Sequence, residues 1–278
     1  MGQGKFLNWS NMWAVFWRTI KDRRVVTLIY LAVAIALIWL YVALYPSIKS
    51  QSANFESLLK TYPEGFLKAF NIDIKSYTTI GGYLASEQYS FMWPIILIFM
   101  LVGFSGTALA GEIEKGTIEM LLSQPISRLK IFAGKYLAGL GMLIAFMLFS
   151  VYAAAPILSL YHIGYDLKIF TTMTILGFMF GLAVFSLAMF FSSLSMERGR
   201  VYFLSGGLLV LMYVLNLVAS LKENVADLKY FSFFYYFNAS KALIYNQIDH
   251  WAYLVFLGVA VVSAVLGAIW FMKRDITS

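Results

Sequence analysis

The sequence predicts an all-α integral membrane protein with six transmembrane helices, an interfacial helix before the first of them, and a cytoplasmic helix between the second and the third. Three observations support this fold class. Of the 278 residues, 61% are hydrophobic and only 13% are charged, whereas soluble domains have about 25% charged residues. Six apolar runs are long enough to span a bilayer, and none contains Asp, Glu, Arg or His. Basic residues are concentrated in alternate connecting segments.

The six predicted spans belong to a single membrane domain that covers residues 1–278. They lie at about 25–45, 91–110, 134–160, 169–192, 201–220 and 251–272. Lys135 is the only charged residue within these limits. It lies at the end of a span, where a long basic side chain can reach the lipid headgroups.

The distribution of basic residues predicts the orientation. The segments 1–24, 111–135, 193–200 and 273–278 together hold 13 basic and 6 acidic residues. The segments on the other side, 46–90, 161–168 and 221–250, hold 8 of each. By the positive-inside rule, both termini are cytoplasmic (N-in/C-in), and the chain is a multi-pass protein of the cytoplasmic (plasma) membrane.

Several classes of site are excluded by composition. The chain has no cysteine, which removes thiolate metal ligands and cysteine nucleophiles. Its thirteen methionines are scattered, so we predict no copper or other metal site. The net charge of +7 is read as a topology signal, and no nucleic-acid partner is expected. We therefore predict no catalytic, metal or cofactor-binding residues in this chain.

The N-terminal segment 1–24 has the pattern of an interfacial "elbow" helix. A helical stripe is formed by Trp9, Trp13, Phe16, Trp17 and Ile20. Because indoles favour the membrane interface, we expect this helix to lie on the inner leaflet and the chain to turn upward at Arg23–Arg24. The alternative is that the segment simply extends the first span.

Both large outer segments, 46–90 and 221–250, contain stretches with helical character. Residues 55–70 place apolar side chains on one face, and residues 230–245 are dense in aromatic residues with few charges. Each stretch is compatible with short interfacial or re-entrant helices, or with a loop in the aromatic belt.

The charged stretch 111–135 lies between two apolar runs and predicts a short amphipathic helix over residues 111–122. Glu112, Lys115 and Glu119 share one face and are spaced to pair along that helix. Pro125 ends it, and Ser127 can cap the helix that follows. The helix either docks a partner or is a solvated connection, and periodicity alone leaves both readings open.

This stretch, GEIEKGTIEMLLSQPISRLKIFAGK, resembles the first cytoplasmic loop of the type 2, export-class permeases of ATP-binding-cassette (ABC) transporters. The matching elements are Glu112, Gly116-Thr117-Ile118-Glu119, Leu121-Leu122, Pro125-Ile126-Ser127-Arg128 and Lys135. The similarity extends over most of the chain and includes the aromatic segment before the last span.

The resemblance implies that 111–135 contains a coupling helix, which sits in a groove of a separate ATPase subunit. It also implies two ABC ATPase subunits, which bind the ATP and Mg²⁺, and a second permease chain, expected as a homodimer. The second inner loop would make a further contact. The expected interface residues are Gly111, Glu112, Glu114, Lys115, Gly116, Thr117, Glu119, Leu122, Pro125, Arg128, Glu197 and Arg198.

Two properties of the residues agree with an external energy source. The spans lack the acids, bases and histidines that mark proton relays and ion pathways. Gly134-Lys135 is followed by Tyr136, so the chain has no P-loop for ATP. The expected function is therefore the transport subunit of an ATP-driven exporter, with no enzymatic activity of its own.

Two alternatives follow from the same sequence. The first is a membrane anchor or assembly subunit that transmits ATPase motion to an extracytoplasmic partner without moving a substrate. The second is an intramembrane serine protease, because Gly103-Phe104-Ser105-Gly106 matches a G-x-S-G pattern. The predicted topology places Ser105 near the inner leaflet and both histidines, His162 and His250, at the outer surface, beyond the reach of a nucleophile and its base.

Overall fold

The computed structural model describes residues 10–69, 77 and 79–275, and every regular element in these ranges is helical. The first half contains α1 (Ser10–Ser50), α2 (Ser52–Leu59), α3 (Glu64–Ala69), α4 (Ile80–Leu84), a π-helical stretch (Ala85–Met92), α5 (Trp93–Ala108), α6 (Ala110–Glu114) and α7 (Thr117–Leu122). The second half contains α8 (Arg128–Tyr152), α9 (Ala154–Leu160), α10 (Leu167–Leu194), α11 (Arg198–Leu221), a 3₁₀ segment (Glu223–Phe231), α12 (Phe233–Tyr236), α13 (Ala239–Tyr245) and α14 (His250–Lys273).

The prediction of six spans is confirmed. Continuous helical stretches long and apolar enough to cross a membrane run over Asn11–Ser50, Ile80–Ala108, Arg128–Leu160, Leu167–Leu194, Arg198–Leu221 and His250–Lys273. The second begins at Ile80 instead of about residue 91, because α4 and the π-helical stretch continue without a break into α5. Glu87, which we assigned to an outer loop, is therefore part of the second spanning helix.

The predicted turn at Arg23–Arg24 is wrong. The 41-residue helix α1 passes through these residues without interruption and is about 60 Å long at 1.5 Å per residue. The first-span extension that we considered as the alternative is what the structure has. Trp13 and Trp17 are exposed, as expected of indoles at a membrane surface, whereas Trp9 lies outside the described residues.

The centre of the bundle is α10, which packs against α5, α8, α11, α13 and α14. Its buried residues include Phe180 and the pair Gly177 and Gly181. A side chain at Gly177 would meet the Trp93 ring at 2.6 Å, and one at Gly181 would meet Leu143 at 2.6 Å. The GxxxG pattern therefore packs helices of the same chain.

The aromatic stretch 230–245 forms short helices and is not a simple loop. Phe237, between α12 and α13, is buried against Phe180, with ring centroids 4.6 Å apart, and stacks on Trp93 at 6.0 Å. The stretch 55–70 likewise contains helices, α2 and α3, over its described part. Gly65 of α3 lies against the backbone of Ser220 at the end of α11.

A substitution at Gly81, where α4 packs closely against α13, tests this arrangement of helices. We expect Gly81→Ala to destabilise the fold by about 1–3 kcal/mol, because the new Cβ would lie 2.5 Å from the backbone oxygen of Leu243. The matched control is Gly103→Ala, where nothing lies within 4 Å of the added Cβ. Thermal unfolding in detergent is expected to show a lower melting temperature for the first variant and no decrease for the second; equal effects would contradict the packing.

Candidate functional site

The segment between the second and third spans forms two short helices where we predicted one. Helix α6 ends at Glu114, and α7 begins at Thr117. Gly116 between them has φ +68° and ψ 0°, a left-handed conformation that glycine adopts without steric cost. The chain thus changes direction at Gly116, a residue that permits the required left-handed backbone conformation.

This break changes which side chains of α7 are buried. Ile118 and Leu121 face the protein interior, with 2% and 6% of their surface exposed. Met120, which precedes Leu121 in the predicted amphipathic helix, is 71% exposed. It lies next to Glu119, which is also exposed. A single continuous helix does not predict the exposure of Met120. The turn at Gly116 changes the direction of the chain, so α7 presents different side chains to the solvent than a continuous helix would.

A buried ion pair attaches α6 to the third span. Lys135 Nζ lies 2.5 Å from Glu112 Oε1, and the two side chains are 3% and 27% exposed. The expectation that Lys135 reaches toward the headgroups is therefore wrong, as is the pairing of Glu112 with Lys115 along one helix. Because Lys135 is buried in an apolar bundle, its charge requires an opposite charge close by. Glu112, 23 positions away in the sequence, supplies that charge.

A second ion pair joins α6 to the start of α11. Arg198 Nε lies 3.4 Å from Glu114 Oε1, and the backbone N–H of Arg198 donates to Glu114 Oε2 at 2.9 Å. Glu197, the residue before α11, pairs with Arg200 of its first turn at 3.5 Å. The predicted coupling helix (111–122) and the second inner loop (196–200) are therefore in direct contact.

The end of this segment is held by the last helix. Ser127 caps α8 by accepting from the Lys130 N–H, as predicted. Arg128 donates to the backbone carbonyl of Arg274, just after α14. The Arg274 guanidinium in turn donates to the carbonyls of Ser193 and Ser195, at 2.8 and 2.9 Å. These contacts place the ends of α10 and α14 and the start of α8 at one end of the bundle, which we call the basic end.

The predicted interface residues therefore fall into two groups. The first holds the loop in place and comprises Gly111, Glu112, Glu114, Thr117, Leu122, Arg128 and Arg198. The second is exposed and comprises Lys115, Gly116, Glu119, Pro125 and Glu197. Met120 and Met196, exposed by 71% and 44%, extend the exposed group and were not among the predicted site residues. We call Lys115, Glu119, Met120, Glu197 and Met196 the coupling surface.

The comparison with family models decides the class of this protein. The model described as "ABC-2 family transporter protein" matches residues 13–276. The chain belongs to the ABC-2 transporter family. It is a multi-pass membrane protein and a permease component of an ABC transporter, a family whose membrane chains lack the ATP-binding domain. A comparison with curated protein sequences finds no match.

A groove of about 590 Å³ runs along the second span of this permease, between α5, α11 and α1. Its walls are mainly apolar and carry three tyrosines, Tyr30, Tyr202 and Tyr213. Gly103 and Gly206 line it, and neither has an atom within 4 Å of an added Cβ. Gly103 thus opens the groove, whereas Gly106 packs against the Tyr202 ring as a small residue at a helix contact.

The serine-protease pattern has no catalytic geometry in the structure. Ser105 is fully buried, and its hydroxyl donates to the Leu101 carbonyl at 2.8 Å within α5. This is the helix-satisfying bond common for serine in apolar helices. His162 follows α9 and His250 begins α14, both at the opposite end of the bundle from the last turn of α5, which contains Ser105.

The buried ion pair generates a stability prediction. We expect Lys135→Met to destabilise the protein by about 3–5 kcal/mol, because it leaves the Glu112 carboxylate partly buried without its counter-charge. The double variant Lys135→Met/Glu112→Gln removes both charges and is expected to regain much of that loss. Detergent melting curves of the two single variants and the double variant measure the coupling. Additive effects of the two substitutions would contradict the pairing.

Proposed function

We propose that this permease subunit carries out export powered by a separate ABC ATPase that docks on the coupling surface. The proposed assembly contains two permease chains, as a homodimer, and two ATPase subunits that bind ATP and Mg²⁺. In this proposal both termini and the basic end of the bundle are cytoplasmic, in the plasma membrane. The excess of basic residues at that end supports the orientation.

The main support for the proposal is the way in which the coupling surface is attached to the membrane-spanning helices. Its underside is attached to α8 by Glu112–Lys135 and to α11 by Glu114–Arg198. Its exposed side presents an apolar side chain, Met120, beside charged groups such as Glu119. A flexible, solvated connection would need neither the buried ion pair nor an exposed large apolar residue. A force applied to this surface is transmitted directly to two spans.

The groove supports a hydrophobic or amphipathic cargo. Its apolar walls between spans one, two and five can accept an alkyl chain or an aromatic body. ATPase-driven motion at the coupling surface would move α8 and α11, and α11 is one wall of the groove. The cargo path and the docking surface thus share a helix.

A second candidate function, an anchor subunit that acts on an extracytoplasmic partner, is favoured by the end of the bundle opposite the basic end. That end presents large exposed side chains in the 3₁₀ segment and near α3, including Phe231 at 72%, Tyr230 at 51% and Tyr62 at 50%. Such side chains suit a protein partner or the membrane interface.

ATP-dependent movement of a hydrophobic dye in vesicles reconstituted with both subunits separates the two functions. Transport supports the exporter, and ATPase activity without transport supports the anchor.

The docking proposal predicts that reversing one charge on the coupling surface weakens ATPase binding. We expect Glu119→Arg to reduce co-purification of the ATPase, and the ATPase activity of the eluate, by about ten-fold, as at an interface hot spot. The control is Asp22→Arg, which changes an exposed carboxylate on α1 that forms only a 3.9 Å contact with Arg18.

The measurement is affinity purification of the detergent-solubilised chain with the ATPase activity assayed on the eluate. Equal retention of ATPase by wild type and Glu119→Arg, with both properly folded, would contradict docking at this surface. As a separate check on the protease alternative, Ser105→Ala is expected to leave the eluate activity and the fold unchanged.

A further inference from the structure

Glu87 is an acidic residue within the second spanning helix, in the π-helical stretch Ala85–Met92. It is half-buried and lies 21 residues before Ala108, about 30 Å along the helix. Because the hydrocarbon core is about 30 Å thick, this position is at the level of the headgroups opposite the basic end. π-helical stretches inside spanning helices are frequent at functional sites.

Three tyrosines lie near this carboxylate. The Tyr77 hydroxyl donates to Glu87 Oε1 at 2.6 Å, and the Glu87 charge also acts on the hydroxyls of Tyr41 and Tyr83. Tyr83 is the hub, since its ring centroid lies 5.4–6.3 Å from those of Tyr41, Tyr45 and Tyr77. Burial, followed by the bond to Glu87, raises the pKa of Tyr77, so its hydroxyl remains protonated and donates to Glu87.

No basic side chain of the described residues neutralises this carboxylate. The ion pairs in those ranges do not include Glu87, and its only hydrogen bond there is the one from Tyr77. Lys49, on α1, lies over the Tyr45 ring at 5.9 Å and forms no ion pair with Glu87. A carboxylate at the level of the headgroups, with no basic partner among the described residues, can attract a cationic group.

Glu87 does not itself line the apolar groove but lies close in sequence to residues that do. Phe91, one turn after Glu87 on the same helix, lines the groove. On the other wall, Tyr30 lines the groove, and Tyr41 lies three turns further along the same face of α1. Ser90, also in the lining, has a buried hydroxyl with no hydrogen-bond partner in the described part of the chain. The groove therefore ends about one helical turn from the carboxylate, on the same face of the second spanning helix.

The residues around Glu87 indicate which class of ligand could bind there. A divalent metal needs several oxygen or nitrogen ligands, and no group of three His, Cys, Asp or Glu exists in the described ranges. An ammonium group, by contrast, is recognised by one carboxylate together with aromatic faces. The adjoining groove adds space for an apolar chain.

We propose that Glu87, with Tyr41, Tyr77 and Tyr83, forms a binding site for the ammonium group of an amphipathic molecule whose apolar chain occupies the groove. The molecule is either a free ammonium amphiphile or a lipid with an ammonium headgroup. This inference rests on the proposed function only in treating the occupant as cargo; the binding itself requires no ATPase.

The test is equilibrium binding of radiolabelled dodecyltrimethylammonium to the purified full chain in a nonionic detergent. We expect Glu87→Gln to weaken binding about ten-fold, because the ammonium group loses its charge contact. The control Asp227→Asn, at an exposed carboxylate in the 3₁₀ segment, is expected to bind as wild type. Tyr41→Leu, on a different helix, gives an independent loss of affinity.

Competition identifies the source of the ammonium group and completes the test. Displacement of the probe by phosphatidylethanolamine but not by phosphatidylglycerol assigns the site to lipid headgroups, and displacement by neither assigns it to free amphiphiles. Equal binding by wild type and a folded Glu87→Gln, or competition by uncharged dodecanol as strong as by the ammonium compound, would overturn the proposal. Glu119→Arg is expected to bind the probe normally, so failure of ATPase docking and failure of this site are distinguishable.

Discussion

The buried contact between Glu112 and Lys135 is the constraint on which the basic end of the bundle depends. Lys135 is 3% exposed in the third span, and the nearby Arg18 and Arg23 of α1 repel its charge. A lysine in such a place requires a carboxylate, and α6 must hold Glu112 against it. The position of α6 then fixes the turn at Gly116 and, through that turn, the exposure of Met120. The direction of the coupling surface thus follows from one ion pair.

The same arrangement gives a physical route from the proposed ATPase to the spans. Coupling between distant sites is carried by packed side chains, ion pairs and rigid helices. Here α6 is joined to α8 and α11 by ion pairs, and Arg128 and Arg274 connect α8 with the ends of α14 and α10. Because α11 also forms a wall of the groove, the proposal implies that a displacement of the coupling surface would change the shape of the cargo site.

The sequence predicted what depends on local pattern and length. Six spans and the cap at Ser127 followed from apolar runs and capping chemistry, and the family followed from the resemblance of residues 111–135. The ion pair was missed because its members are 23 positions apart, and the pairing of helical neighbours gave Glu112 the wrong partner. The break at Gly116 was missed because a single glycine in an amphipathic pattern does not specify φ. Glu87 was assigned to a loop because a π-helical stretch has neither the composition nor the period of an apolar span.

The most direct test of the coupling surface uses the absence of cysteine from the chain. A single cysteine placed by Met120→Cys can be cross-linked to the ATPase subunit in membranes, and Tyr230→Cys, at the opposite end of the bundle, is the control. The account predicts a permease–ATPase adduct for the first variant, with a yield that changes when ATP is added, and no adduct for the second. An adduct at Tyr230→Cys but not at Met120→Cys would contradict both the docking surface and the orientation.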